Sequence, residues 1–395
     1  MAQPSPTLFV LIIALVALGP LSTDLYLPAL PALVADLETD VAHGQLTLTA
    51  YMIGFAFGQL VYGPLSDRFG RKPVILSGLA LYAAASLACV WTENITMLLA
   101  ARVVQAVGAC VGPVLGRTIV RDVYGPVEAP RMLAHVGSAM AIAPMVAPLI
   151  GGVITSHFAW RGNFVALFCY AAVTLLMILW ALPETNTHRG QASFGFLRSF
   201  SVLLSDRRFR WLLLANACGY AALFAFISGS SFVFIGMFGF TPVQMGLAFA
   251  VMVTGFFAGS VASARLSRWL GAERLLRLGG WIGLGGGSAM GLWLLLAPSP
   301  LGVMLPMWLC GAAAGLLMPN ATGLALAPYP KIAGAAASLL GFSQMGIAAV
   351  AGTLVGHLLG ETPLPMAAVI AIVMAISWWS TQQAAPANCR GAPTS

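Results

Sequence analysis

The sequence carries very little charge. Only 8% of its 395 residues are Asp, Glu, Lys or Arg, whereas 59% are hydrophobic. A soluble domain carries about 25% charged residues, and a chain this apolar has too little polar surface to cover a core in water. The composition therefore excludes an ordinary soluble protein and favours a chain whose main solvent is a lipid bilayer.

Other functional signatures are missing as well. None of the six cysteines forms a metal-spaced pair, and five lie in apolar runs, which is typical of packing residues and not of a disulfide framework. The net charge of +7 forms no basic stripe, so no nucleic-acid partner is predicted. The first 67 residues contain no Lys or Arg, which argues against a cleavable signal peptide.

Long apolar runs fill most of the chain. A spanning helix needs roughly 20 mostly apolar residues. Twelve segments meet this length, which predicts an all-α membrane protein of twelve transmembrane helices. They lie at about 7–34, 44–65, 73–92, 95–120, 131–156, 163–182, 209–237, 242–267, 275–297, 300–325, 332–359 and 364–382.

The connections between these segments predict orientation and organisation. With both termini in the cytoplasm, seventeen of the nineteen Lys and Arg residues lie on the cytoplasmic side, Arg161 lies outside and Arg102 lies within a span. One connection, 183–208, is much longer than the others. We therefore predict an N-terminal half (1–182), a central cytoplasmic loop (183–208), a C-terminal half (209–382) and a cytoplasmic tail (383–395), as in transporters built from six-helix repeats.

The first connection has a distinctive charge pattern. It reads Gly63-Pro-Leu-Ser-Asp67-Arg68-Phe-Gly70-Arg71-Lys72-Pro73, so that an acid is followed by three bases around a glycine turn. Two readings of Asp67 stay open, because its carboxylate can cap a helix or pair with bases of the other half. Ordinary positive-inside charge requires neither the acid nor the glycine, so the pattern indicates a structural or functional role.

Asp24 is the only acid well inside a predicted span. A charge there costs on the order of 3 kcal/mol unless it faces water or a partner, so such residues are functional by default. The alternative is a structural carboxylate bonded to backbone freed by Pro28. Arg102, the only base deep within a span, lies at a matching depth, which makes it the expected partner of Asp24, and Gln105 lies near the same helix face.

Further polar and aromatic side chains inside the spans are candidates for lining a substrate cavity. Core packing is the simpler reading for each of them. Arg117 can line the cytoplasmic mouth of the cavity or extend to the membrane interface. The other candidates are Tyr51, Gln59, Gln105, Asn216, Tyr220, Phe224, Asn320 and Gln344.

These motifs resemble a known family. The first connection is similar to the signature loop of the major facilitator superfamily. The segments STDLYLPALP, AARVVQAVGACVGPVLGRTIVRDVY and APMVAPLIGGVI resemble the Bcr/CflA drug-resistance branch of that superfamily. The likeness is strong over the N-terminal half and rests on topology alone over the C-terminal half.

The resemblance implies a role for each motif. It implies a cytoplasmic latch, in which charges of the first connection meet Arg121 and Asp122. It makes Asp24 and Arg102 the proton-coupling pair, and it makes Pro144, Pro148, Gly151 and Gly152 the antiporter motif. The sequence has Ala147-Pro148 where Gly-Pro is usual, and Val16 stands where some relatives carry a second acid, so coupling through two carboxylates is not expected.

The resemblance also implies a function. We expect a proton-coupled exporter of small amphiphilic molecules, such as phenicols, bicyclomycin or related metabolites. It would be a monomer of the inner membrane that works by rocking of its two halves, with membrane lipid, protons and substrate as partners and no cofactor. A proton-coupled metabolite importer remains the alternative. An integral-membrane transferase is disfavoured, because the acid cluster Asp36, Glu38 and Asp40 has no matching base or histidine set.

Overall fold

The computed structural model describes residues 6–140, 143–186, 196–329 and 332–384. Throughout these residues the regular elements are helical. In chain order they are α1 (Pro6–Asp24), a 3₁₀ turn (Leu27–Ala29), α2 (Leu30–Asp36), α3 (Val41–Phe69), α4 (Arg71–Val90), α5 (Ile95–Met140), α6 (Ala143–Phe158), α7 (Arg161–Ala181), α8 (Phe196–Ser205), α9 (Arg207–Ser231), a π-helix (Phe232–Met237), α10 (Pro242–Leu296), α11 (Pro300–Leu326), α12 (Ala333–Leu358) and α13 (Leu364–Gln383).

The described residues contain ten helical segments long and apolar enough to cross a membrane. One of them, α10, has 55 residues and breaks at Gly271, so it has the length of two crossings. The short apolar helix α6 and the part of α5 beyond its break at Gly125 fall on the predicted fifth span. The predicted all-α membrane fold is confirmed.

The structure adds detail to two predicted segments. The first span is not one helix, because it breaks after Asp24 and resumes through a 3₁₀ turn. The predicted central loop contains helix α8, whose Leu203 is buried against Phe209 and Leu212. That contact stabilises a helix in a segment that looked polar overall. Residues 187–195 of this loop and 385–395 of the predicted tail lie outside the described residues.

Two compact units divide the chain. The first consists of Met1–Phe194, Ile227–Val251 and Gly352–Thr362, and the second of Gly195–Phe226, Met252–Ala351 and Pro363–Ser395. Each unit has its own buried contacts. The ends of α9 and α12 and the start of α10 therefore belong to the same unit as the first six predicted spans.

Helix α5 is central to the first unit, where it packs against α1, α3 and α4. Glycines allow this close approach. A side chain at Gly108 would meet the backbone nitrogen of Tyr82 at 2.6 Å, and one at Gly112 would overlap the carbonyl oxygen of Leu15. Small residues let helix backbones meet in a bilayer, so this glycine row holds α5 against both neighbours.

Candidate functional site

Asp24 lies at a break in the first membrane span. Helix α1 ends at Asp24, and Pro28 and Pro31 follow, neither of which has an N–H to continue the helical hydrogen bonds. The Asp24 side chain is buried, with 3% of its surface exposed. Its carboxylate accepts a hydrogen bond from Thr23 Oγ1 at 2.8 Å, and the same hydroxyl lies 3.0 Å from the carbonyl oxygen of Pro20. One shared hydroxyl offsets little of the cost of burying a charge.

Arg102 of α5 is fully buried in the first unit. Its guanidinium donates to Gln105 Oε1 at 2.5 Å and to the carbonyl oxygen of Ser22 at 3.0 Å. The same group lies 4.5 Å from the ring centroid of Tyr26 and 4.4 Å from that of Tyr51. A delocalised planar cation suits such a site, because it can stack on aromatic faces while its edge donates hydrogen bonds.

The expected ion pair between Asp24 and Arg102 is absent from this conformation. No salt bridge joins them, although both residues are described. Arg102 binds instead to the carbonyl of Ser22, one of the last carbonyls of α1, which have no partner within the helix. A cation is favoured at the carboxyl end of a helix, so Arg102 stabilises the break itself, two residues before Asp24.

A buried polar network surrounds this contact, and sequence reasoning missed most of it. Ser22 and Tyr82 share a hydrogen bond of 2.6 Å between their hydroxyls. Gln105 donates to the Ser86 hydroxyl at 2.7 Å, and Tyr26 is 2.7 Å from the hydroxyl of Thr47. Ser22 and Tyr26 stand two residues before and two residues after Asp24. These polar side chains beside a buried acid were the sequence signal that could have predicted the network. Through these hydrogen bonds, side chains of α3, α4 and α5 hold the break of the first span in position.

Helix α6 carries the four residues assigned to the antiporter motif. A side chain at Gly151 would overlap the carbonyl oxygen of Leu25, the residue after Asp24. A side chain at Gly152 would lie 2.5 Å from the carbonyl oxygen of Pro242. Pro148 is buried and Pro144 is partly buried on the same helix. Glycine at position 151 is therefore what allows α6 to contact the break in the first span.

The signature loop is a tight corner between α3 and α4. Gly70 has φ 99°, a conformation that favours glycine, and α4 begins at the next residue. Arg71 Nη1 lies 2.5 Å from Asp67 Oδ1, and Arg71 Nε lies 3.2 Å from Asp122 Oδ2. The corner thus brings Asp67, Arg71 and Asp122 together. The remaining members of the predicted latch, Gly63, Arg68, Lys72 and Arg121, make none of these ion pairs within the described residues.

Glu184 and Asn186 complete this corner and were not predicted. The Glu184 carboxylate accepts the backbone N–H groups of Arg71 at 2.9 Å and Lys72 at 3.2 Å, which caps the start of α4. The Asn186 amide donates to the backbone carbonyls of Ser66 and Asp67 at the end of α3. No local sequence signal links these residues to a loop more than 110 positions earlier.

The remaining cavity candidates lie in separate surroundings. In the second unit, Asn216 donates to Thr322 Oγ1 at 2.8 Å and Asn320 donates to Ser263 Oγ at 2.7 Å. Tyr51, Gln59, Gln105 and Phe224 are buried, Tyr220 and Gln344 are partly buried, and Arg117 is exposed. Arg117 Nε donates to the carbonyl of Pro113 on its own helix.

A cluster of neutral contacts closes one end of the first unit. Ser231 Oγ donates to the carbonyl of Leu27 at 2.5 Å, and Ser228 Oγ donates to Gln45 Oε1 at 3.0 Å. Gln45 Nε2 is buried without a partner in the described structure. This cluster lies at the end opposite the signature loop. We call it the seam and define it as Leu27, Gln45, Thr49, Ser228, Ser231 and Thr353.

The same end of the unit contains an aromatic–ionic contact between the buried Trp160, the exposed Asp36 and the partly exposed Arg161. Trp160 Nε1 donates to Asp36 Oδ2 at 3.0 Å, and Arg161 Nη1 binds the same oxygen at 2.5 Å. Arg161 also donates to the carbonyls of Val90 and Thr92, at the end of α4 and just beyond it. Trp160 and Arg161 together therefore join three chain segments, and the Trp160 indole is buried.

Comparisons with known proteins agree with this architecture. Residues 12–353 match the sequence model of the Major Facilitator Superfamily. The chain is 28% identical to a bicyclomycin resistance protein homolog of Haemophilus influenzae, covering 95% of both chains. It is 30% identical to the multidrug resistance protein D of Escherichia coli, covering 87% of this chain and 86% of the relative. It is 32% identical to a chloramphenicol resistance protein of Pseudomonas aeruginosa, covering 80% and 76%.

Solved structures show the same fold. The human organic anion transporter MFSD10 (TETRAN) superposes with a TM-score of 0.72 at 19% identity, covering 97% of this chain and all of that one. The xylose transporter XylE of E. coli gives 0.72 at 11% identity, covering 95% and 96%. The chain is a multi-pass membrane transporter and belongs to the Major Facilitator Superfamily. Its relatives confirm the predicted resemblance to the Bcr/CflA drug-resistance branch.

Proposed function

We propose that this protein exports small amphiphilic molecules, including antibiotics of the phenicol or bicyclomycin type, in exchange for protons. The observation that carries the proposal is the isolated, buried carboxylate of Asp24 at the break of the first span. The names of the relatives support the substrate class, since three of them are resistance proteins for such drugs or for multiple drugs.

Asp24 is the proposed proton-binding group. A broken membrane helix places non-helical backbone at depth, where it can line a water-filled or substrate cavity. The carboxylate there has one shared hydroxyl partner and no ion pair in the described structure. Proton binding would therefore change the charge of the site with little rearrangement of its neighbours. With one such carboxylate, we expect about one proton per transport cycle.

Arg102 is the proposed positioning residue. Its hydrogen bond to Ser22 and its stacking on Tyr26 and Tyr51 hold the break in place. We propose that this positive charge, which the Ser22 contact holds two residues before Asp24, offsets the ionised carboxylate at longer range although the two side chains form no ion pair. Because this compensation is built in, we expect neutral or zwitterionic amphiphiles to be better substrates than dications.

The seam supports an alternating-access cycle. The seam contacts close the end of the first unit that the charge distribution predicts to face outside. They consist of single neutral hydrogen bonds, which contribute about 0.5–1.5 kcal/mol each and are reversible. A ligand shifts such an equilibrium only through different affinities for the two states, and competition between proton and substrate at Asp24 would supply that difference.

We further propose that the protein works as a monomer in the cytoplasmic membrane, surrounded by lipid and without a cofactor. The proton gradient supplies the energy. Among the described residues, no group of three or more His, Cys, Asp or Glu side chains is arranged to hold a metal ion. The family is one of transporters, and the proposed cycle moves its substrate without chemical conversion.

The test measures antibiotic susceptibility and proton movement together. The native protein, Asp24→Asn and Asp24→Glu are expressed at equal membrane abundance in an efflux-deficient bacterium and compared over a panel that includes phenicols and bicyclomycin. In everted vesicles, addition of a substrate should release protons from the vesicle lumen with the native protein. We expect resistance and proton release with the native protein, neither with Asp24→Asn, and partial activity with Asp24→Glu.

Each outcome has a distinct meaning. Resistance that survives Asp24→Asn would support drug export but refute the assignment of Asp24 as the proton-binding group. Substrate accumulation in intact cells, driven by an inward proton gradient, would favour the importer instead. If no variant changes any susceptibility, drug export is refuted. A preference for divalent cationic drugs would contradict the expected charge selectivity.

A further inference from the structure

A second group of charges lies at one end of the second unit. Arg207 and Arg210 are exposed at the start of α9, and Arg265, Arg268 and Arg274 are exposed around the break of α10 at Gly271. An ion pair of 2.7 Å between Arg208 Nη2 and Glu273 Oε1 joins these two segments. We call the five exposed arginines the basic surface.

The nearby acids are already bound to other groups. Glu273 is paired with Arg208. Asp206 accepts the Tyr329 hydroxyl at 2.5 Å and the backbone N–H of Arg208 at 2.8 Å. Partial burial raises the pKa of Asp206, but these hydrogen bonds outweigh it and hold the pKa below its usual value. Burial and the adjacent Asp206 carboxylate raise the pKa of Tyr329 to about 12. The five arginines form no ion pair with any described residue.

Apolar side chains accompany these charges. Trp269 stands beside Arg268 with 84% of its surface exposed, and Leu266 and Leu270 are exposed on the same turn. On the neighbouring helix α8, Val202 and Leu204 are exposed, while Leu203 packs onto Phe209 of α9. Tryptophan and leucine beside arginine are typical of a membrane–water boundary, where an apolar phase meets charged headgroups.

The corresponding loop of the first unit differs. There the central base, Arg71, lies between two carboxylates, Asp67 and Asp122, although Arg68, Lys72 and Arg121 make no ion pair in the described structure. Among its described residues, the second half has no such arrangement around its loop. In the second half, Ser267 stands where the first half has Asp67. The basic surface is therefore a cationic site that no described residue neutralises, placed where lipid headgroups are expected.

From this arrangement, we propose that the basic surface binds the headgroups of anionic phospholipids, such as phosphatidylglycerol and cardiolipin. Arg265, Arg268 and Arg274 contact the phosphates, while Trp269 and Leu270 pack on the adjoining acyl chains. Lysine or arginine near an anionic membrane surface contributes roughly a fivefold preference each at low salt. The apolar neighbours favour a lipid over a free phosphate. This site is separate from Asp24 and does not rest on the proposed transport function.

Native mass spectrometry of the full-length protein tests the proposal. The protein, in a neutral detergent, is titrated with equal mixtures of the phosphatidylglycerol POPG and the phosphatidylcholine POPC, and the bound fraction of each is counted. The test variant is Arg265→Gln/Arg268→Gln/Arg274→Gln. The matched control, Arg131→Gln/Arg189→Gln/Arg390→Gln, removes the same net charge from other parts of the chain. Equal melting temperatures of the three proteins show that folding is retained.

We expect the native protein and the control to prefer POPG, and the test variant to lose at least fivefold of that preference. Raising the salt concentration should weaken the preference, and millimolar inorganic phosphate should not. Equal loss in the control variant would mean that net charge alone attracts the lipid, which overturns the proposal. It is also overturned if the native protein binds both lipids equally, or if inorganic phosphate displaces POPG.

Discussion

At the scale of single residues, Arg102 shows how a charge can be accommodated inside a membrane span without a counter-ion. Its partners are an amide oxygen, a backbone carbonyl and two aromatic rings. A planar guanidinium can satisfy all four at once, because its face stacks on the rings while its edge donates the hydrogen bonds. The carbonyl belongs to Ser22, two residues before Asp24. The same hydrogen bond therefore satisfies the buried Arg102 side chain and fixes the backbone that positions Asp24.

This dependence gives a prediction for Arg102→Lys. Lysine keeps the charge but cannot stack between two rings while it donates to two acceptors. Hydrogen bonds to charged groups contribute about 1.5–3 kcal/mol each, so we expect a melting temperature lower by several degrees and loss of transport. A thiol-reactive dye measures melting in a background with Cys169 and Cys389 replaced by serine, because Cys169 is exposed in the folded protein whereas Cys89, Cys110, Cys218 and Cys310 are buried. Native stability and transport in Arg102→Lys would show that charge alone is sufficient.

Glu184 makes a second residue-scale prediction. Its two carboxylate oxygens accept two of the free N–H groups at the start of α4, and an amide in place of the carboxylate would put a donor against one of them. Loss of a helix cap costs about 0.5–2 kcal/mol, so Glu184→Gln should lower the melting temperature and Glu184→Ala should lower it further. The control is Glu361→Gln at an exposed position. Equal effects at both positions would refute the capping role.

At the scale of helices, close packing around the first span depends on glycine. The backbone of Leu25 occupies the space that a side chain at Gly151 would need. We therefore expect Gly151→Ala to destabilise the protein by about 1–3 kcal/mol through overpacking and to impair transport. Gly285→Ala is the matched control, since nothing lies within 4 Å of that site. It should be neutral or stabilising by up to about 1 kcal/mol, because alanine favours helix more than glycine does.

Either of two outcomes at Gly151 would contradict this reading. If Gly151→Ala melts at the native temperature and transports normally, α6 does not need to contact the break. If Gly285→Ala is as damaging as Gly151→Ala, replacing glycine in any membrane helix lowers stability, and the loss at Gly151 is not caused by its contact with Leu25.

The seam leads to a prediction about helix ends. Ser231 is fully buried there, so a cysteine at this position should react slowly with an impermeant maleimide added outside the cell. A side chain at Gly152 would lie 2.5 Å from the carbonyl oxygen of Pro242. Pro242 begins α10, the next helix after the segment that follows Ser231, so we expect this clash to displace the segment and loosen the seam. We expect Ser231→Cys to react several-fold faster when combined with Gly152→Ala. Peptide mapping should show buried Cys310 still unlabelled, which separates opening from unfolding. Unchanged labelling of Ser231→Cys would contradict a closed, reversible seam.

At the scale of the whole molecule, orientation follows from the distribution of positive charge. Both termini are predicted in the cytoplasm, because seventeen of nineteen Lys and Arg residues then lie inside. A fluorescent protein fused after Ser395 should therefore be bright, and alkaline phosphatase fused after Glu361 should be active. A dark fluorescent fusion together with an inactive phosphatase fusion would reverse the orientation, and with it the side on which the seam closes.

The all-helical, multi-pass character of the chain was determined by the sequence itself. Transfer of a helix into lipid depends on the sum of its own side chains, so it can be estimated from each segment alone. Asp24, Arg102 and the signature loop stood out for the same reason, since charge within or between apolar runs is visible without a fold. Pro28 predicted freed backbone near Asp24, but only the structure showed that the helix ends at Asp24 itself.

Only the tertiary structure decided which side chains meet. The sequence suggested that Arg102 pairs with Asp24, but the rotation of α5 directs it to the Ser22 carbonyl and two tyrosine rings. The contacts of Glu184 with α4 and of Ser231 with Leu27 join residues more than 100 positions apart. Hydropathy is local and additive, whereas contacts depend on how each helix is turned and how closely glycines let it approach. Partners inside the bilayer are therefore a property of the packed molecule.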